Sequence, residues 1–97
     1  IIFHSKEYQV PIHTHLSKDE TLILLKGSCI HREYKTEDVE SRIETPQITE
    51  EIILKPLDAI NIKSKKWHNL KILSDIVFVE VSQGPFTSES TTFSKTK

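Results

Sequence analysis

The apolar residues of this chain come in short clusters rich in β-branched side chains, and nowhere do they recur with the period of a helix that buries one face. Clusters of that kind build strands, so the chain must be mostly sheet. The pattern predicts six to eight short antiparallel strands, no helix and no internal repeat. The first strand runs over residues 8–15, with Pro11 marking an edge or a strand start. The second covers residues 21–30 and continues through His31 and Arg32. In it Leu22, Ile23, Leu24 and Leu25 are apolar on both faces, as in a strand packed between two layers. Residues 35–41 are charged and read as a hairpin tip or loop, Pro46 interrupts residues 42–49, and residues 50–54 form a further short strand.

Beyond Pro56, residues 58–62 alternate, with Ala59 and Asn61 on one face and Ile60 and Ile62 on the other. Residues 63–66 supply a polar turn. Residues 67–73 place His68, Leu70 and Ile72 on one face, and residues 76–82 turn Ile76, Phe78 and Glu80 inward before Gly84-Pro85 ends the strand. The tail from residue 87 to 97 is rich in Ser, Thr and Lys, with Phe93 as its apolar anchor, and reads as a loosely docked extension. These strands fit an all-β fold, an antiparallel double-sheet jelly-roll barrel. At 97 residues the chain makes one domain, residues 1–97, with a polar extension from about residue 87.

Chemistry concentrates near the start. Alternate side chains of a strand share a face, so His13 and His15 point the same way, and Glu20 can close on them after a four-residue bend. His68, on the inward face of a later strand, is a fourth candidate. Imidazole and carboxylate together suit a divalent transition metal such as iron, zinc, manganese or nickel, and four protein donors leave one or two coordination positions open. The bland reading of His13, His15 and Glu20 is surface polarity around a bend, and that of His68 is a half-buried histidine beside Trp67. His4 and His31 match no motif and read as surface residues. Tyr34 and Trp67 read as core or rim packing. Lys63, Lys65 and Lys66 form a basic cluster beside His68 whose usual meaning is a solvated turn, although it could meet a substrate phosphate.

The spacing HxH, four residues, Glu20, six residues, Gly27 resembles the first signature motif of the cupin family in full. The second cupin motif, a Gly-Asp strand, a Pro-Gly turn and a His, resembles residues 57–62 followed by Ser64-Lys65-Lys66-Trp67-His68. Its histidine is kept, while its glycine and proline are not, which predicts a looser turn under His68. Within the cupins the chain is most similar to the small WbuC-type metalloproteins of O-antigen gene clusters. That likeness rests on Pro11-Ile12-His13-Thr14-His15, on Trp67-His68 and on residues 78–86. It implies a metal held by His13, His15, Glu20 and His68, and a role in lipopolysaccharide O-antigen or surface-polysaccharide biosynthesis on a sugar or nucleotide sugar. Glu20 or Glu80 would move a proton in an isomerase- or epimerase-like reaction, and Lys65, Lys66 and Trp67 would meet the substrate. It also implies a homodimer paired through sheet edges, with residues 52–54 or 76–81 as apolar edge strands. Two other readings stay open: an iron(II)-dependent dioxygenase, and a non-enzymatic small-ligand or metal sensor. Metal-free cupin ketoisomerases of deoxysugar nucleotides are similar in size, but the intact ligand set argues against them.

Charge and cysteine content narrow the remaining classes. With 13 basic against 14 acidic residues the chain has no overall field for nucleic acid or an anionic membrane surface. A single cysteine, Cys29, cannot close an internal disulfide, and no stretch resembles a signal peptide or a bilayer-spanning run. The expectation is a cytoplasmic protein with a buried thiol. Methionine is absent even from position 1, which points to a processed or trimmed chain lacking any N-terminal arm.

Overall fold

The computed structural model describes residues 1–16, 18–83 and 91–93. Nine strands and one short helix are found among them, in the order β1 (Ile2–His4), β2 (His13–His15), β3 (Asp19–Lys26), β4 (Cys29–Tyr34), α1 (Thr36–Glu40), β5 (Ile48–Leu54), β6 (Ala59–Ile62), β7 (Trp67–Ile72), β8 (Ile76–Gln83) and β9 (Thr91–Phe93). They form two antiparallel sheets, β1-β8-β3-β6 and β5-β4-β7-β2-β9. Consecutive strands cross between the sheets, as β3 to β4 and β6 to β7 do, which is the double-sheet jelly roll expected from the sequence.

Inward side chains of both sheets form one core. Leu22 and Leu24 from β3 meet Ile76 and Phe78 from β8, and Cys29, Leu54, Leu70 and Ile72 close it from the other sheet. The thiol of Cys29 is buried, as expected, and burial raises its pKa to about 11. His68, Leu70 and Ile72 share the inward face of β7 as their alternation requires, and Ile76, Phe78 and Glu80 do so on β8.

Several elements differ from the expectation. The stretch read as one strand across residues 21–32 is two, because the chain reverses at Gly27. This residue has φ +84°, and a Cβ there would overlap the carbonyl of Asp75, so only glycine fits. The pairing of β3 with β8 slips between Leu24 and Lys26, and Leu25 faces solvent instead of a second layer. Residues read as a loop contain α1, too short to show a helical period. Part of the tail is not a loose extension, since β9 adds to the free side of β2. Its remaining residues, and Gly84-Pro85, lie outside the described residues. Of the two strands expected to offer sheet edges, β5 is one, but β8 lies between β1 and β3 and has no free edge.

Candidate metal centre

The register of β2 against β7 builds the centre. His13 stands directly opposite His68, and His15 lies two residues further along the same face. The ring centroids are 4.3 Å apart for His13 and His68, 5.1 Å for His13 and His15, and 5.6 Å for His15 and His68. One donor atom from each of the three lies within 4.8 Å of the others, close enough for one ion to gather. Donors around one ion at about 2.1 Å stand roughly 3 Å apart, so modest ring rotation closes the set.

The rings are prepared for that task. His13 Nδ1 lies 2.9 Å from the carbonyl of Pro11, and His68 Nδ1 lies 3.0 Å from the carbonyl of Lys66. A neutral ring that donates from Nδ1 to a carbonyl keeps a bare Nε2, the tautomer a metal needs. Burial, reinforced by the positive charge His13 would carry, pushes the His68 pKa down to about 3. Burial also lowers that of His15, partly opposed by the attraction of Glu20. Both rings are therefore neutral donors at pH 7. The donor types, their convergence and their protonation all fit a divalent transition metal.

The carboxylates come from the opposite sheet. Glu20 is buried on β3, and its Oε1 lies 2.8 Å from His15 Nε2, while its Oε2 faces Lys18 Nζ at 3.8 Å. The short contact of Oε1 pairs the carboxylate with the His15 ring. Glu20 borders the three converging histidines without being one of that group. Glu80 sits one residue pair along on β8, opposite Leu22, and shares a hydrogen bond with Glu20. Burial first, then the proton shared with Glu20 and its charge, raise the Glu80 pKa to about 7.

A cavity of about 180 Å³ opens beside these groups, lined among others by His13, His68, Glu80, Leu22 and Phe78. Lys65, Lys66 and Trp67 are not among its lining residues. Their turn is nonetheless well held, against the looser turn expected from the missing Gly and Pro. Lys65 N–H donates to the His15 carbonyl at 2.7 Å, and Ser64 N–H donates to Asp19 Oδ1 at 2.8 Å. Leu57 and Lys65 take φ of 75° and 67°, so the left-handed backbone survives at two places where glycine would ease it.

Two residues of the site are not apparent from the sequence. Lys18 is a buried cation at only 5% exposure. His31, expected on the surface, is 2% exposed and lines the cavity, with its ring 5.5 Å from that of His68. The correction follows from Gly27. A strand run straight through the turn puts His31 in register with outward residues, whereas the reversal restarts the alternation at buried Cys29 and brings His31 inward. His4 is also half-buried rather than superficial, stacked on Tyr8 at 4.4 Å and tilted against Phe78 at 5.3 Å.

No family model and no curated protein matches this chain significantly. Solved structures do match it. A crystal structure of CapF with the inhibitor 3-isopropenyl-tropolone superposes with a TM-score of 0.62, and one of the capsular polysaccharide assembling protein CapF from Staphylococcus aureus with 0.63. Each is 19% identical over 95% of this chain. The fold is a cupin jelly roll. The chain spans 24% of the CapF length, so the likeness speaks to the shared fold and not to the activity of the whole protein. Among the described residues no helix is long and apolar enough to cross a membrane.

Proposed function

We propose that this chain is a metal-holding cupin that acts on a sugar or nucleotide sugar during surface-polysaccharide assembly, in the manner of the WbuC type. The observation that carries the reading is the convergence of His13, His15 and His68 on one point inside the barrel, facing Glu20 and Glu80 from the other sheet. The polysaccharide context is supported by the resemblance of the motifs and by the fold shared with CapF.

In this reading Glu20 completes the ligand set through Oε1, while Lys18 steadies its second oxygen. A bound divalent ion supplies Lewis acidity toward a carbonyl or hydroxyl oxygen. Glu80 is the proton-transfer group, because its carboxyl faces the cavity and, with a pKa near 7, exists in both states at neutral pH. Lys65 and Lys66, exposed on the turn before His68, would meet an anionic part of the substrate outside the cavity, with Trp67 beside them. The β5 edge, with Ile48, Ile52 and Ile53 exposed, is the surface offered for a homodimer. Light scattering should then give twice the chain mass, and a monomer would remove that part of the reading.

Elemental analysis tests the core of it. The purified protein should carry one divalent metal per chain, and a His13→Ala/His15→Ala variant should lose it. Full occupancy in the variant contradicts the assignment. Binding of nucleotide sugars to the loaded protein should weaken with salt and in Lys65→Glu/Lys66→Glu, with the metal retained.

A further inference from the structure

Alternation along the strands buries one face of the sheet β1-β8-β3-β6 and turns the other to solvent. The register sets Ala59, Ile23 and Val79 in one row of that outer face, and Asn61, Thr21 and Val81 in the next. Phe3 stands beside Val77 on the β1 side. Phe3 is 61% exposed and Val81 51%. No charged side chain stands among the described residues at the centre of this face. The outer face of the other sheet follows the usual pattern instead, with the Arg32–Glu51 ion pair and exposed Lys71 on it. Scattered apolar side chains on a surface need no partner, whereas a contiguous apolar patch of several hundred Å² marks a surface made for contact.

We propose that a second copy of this chain packs on this face, sheet against sheet. Flat faces of β-branched residues are what two sheets need to stack about 10 Å apart. Four strands about 4.8 Å apart and five residues of about 3.4 Å each span a plane of roughly 330 Å². Side-chain relief raises that to about 500 Å² of accessible surface, so two copies bury about 1,000 Å², the lower limit of a specific contact. The rim favours the same occupant. Lys26 stands at one end of β3, and Asp19, 3.7 Å from Lys63, at the other. A two-fold axis lying across the strands reverses β3 in the second copy and sets each Lys26 over the opposite Asp19 end. This contact goes beyond the homodimer read at the β5 edge, which lies in the other sheet, so one assembly can hold both.

Sedimentation velocity on the full chain from about 5 to about 500 µM tests this, because a contact of such small area is weak and concentration-dependent. The mass at the low end reports on the β5 edge separately. Across the range the mass should rise twofold. Val79→Lys and Val81→Lys, which each put a charge into the apolar centre, should abolish the rise while leaving the low-concentration mass and the far-UV circular dichroism unchanged. Ile53→Lys, at a 61% exposed position on β5, should leave the twofold rise intact. A mass constant from end to end overturns the proposal and leaves the face to a different chain. A rise that survives both valine substitutions, or that only Ile53→Lys removes, overturns it in favour of another surface.

Discussion

The two sheets bring opposite chemistry to the same cavity. The sheet β5-β4-β7-β2-β9 contributes four imidazoles, with His31 and His68 driven below their ordinary pKa by burial and two ring tautomers set by carbonyls. The sheet β1-β8-β3-β6 contributes carboxyl groups, one of which holds its proton to near neutrality, and a buried lysine lies beside them. One wall could hold a cation, and the other carries a carboxyl whose pKa lies near neutrality. Their direct junction is the contact of His15 with Glu20. In a barrel this small the lesson is that site chemistry is divided by sheet, and that strand register decides which groups meet.

The walls should therefore respond oppositely to acid, and this is the largest effect expected. His31 and His68 are neutral when folded, with pKa values near 4 and 3 against an ordinary 6.5. Below pH 6.5 the unfolded chain binds protons that the folded chain refuses, so stability present above that pH is lost as pH falls. The slope is about 1.4 kcal/mol per pH unit for each histidine. Glu80 has the reverse sign: its folded pKa near 7 against an ordinary 4.5 means that deprotonation disfavours the fold as pH rises through that window. Denaturant titrations of the metal-free protein from pH 4.5 to 7 should show stability rising with pH. Glu80→Gln should steepen that rise by up to about 1.4 kcal/mol per unit. A flat profile in both proteins would erase the distinction between the walls.

The passage between the walls can be broken directly. Gly27 carries the chain from β3 in one sheet to β4 in the other, and Gly27→Ala combines a left-handed backbone with overlap on the Asp75 carbonyl. A loss of about 3 kcal/mol is expected by chemical denaturation. The smallest effect is a gain. Leu57 and Lys65 occupy the left-handed region at exposed turns, so Leu57→Gly and Lys65→Gly should each stabilise the protein by about 0.5–1 kcal/mol. Calorimetry showing destabilisation by either would mean that the side chain makes contacts beyond its backbone conformation.

Much of the histidine wall is legible in the sequence because a strand has a period of two. His13 and His15 share parity, and His68 shares it with Leu70 and Ile72, so their facing follows from residue spacing alone. The facing of His31 does not, since it depends on a reversal at Gly27 that local hydrophobicity does not reveal. The buried thiol is the available clue: alternation counted from Cys29 points His31 inward. Lys18 sits in the bend before β3, where no periodicity applies, and its ammonium faces the buried Glu20 carboxylate two residues on. The helix Thr36–Glu40 lacks a side-chain N-cap, and β9 is three residues of modest apolarity, so neither carries a pattern long enough to read.

Imidazoles from one sheet and a carboxylate from the other should surround a single ion. X-ray absorption of the zinc-loaded protein counts them most directly. Three imidazole nitrogens and one carboxylate oxygen are expected at about 2.0–2.2 Å, the oxygen disappearing in Glu20→Ala and one imidazole in His68→Ala. A spectrum with one imidazole or none, unchanged by both substitutions, would contradict it.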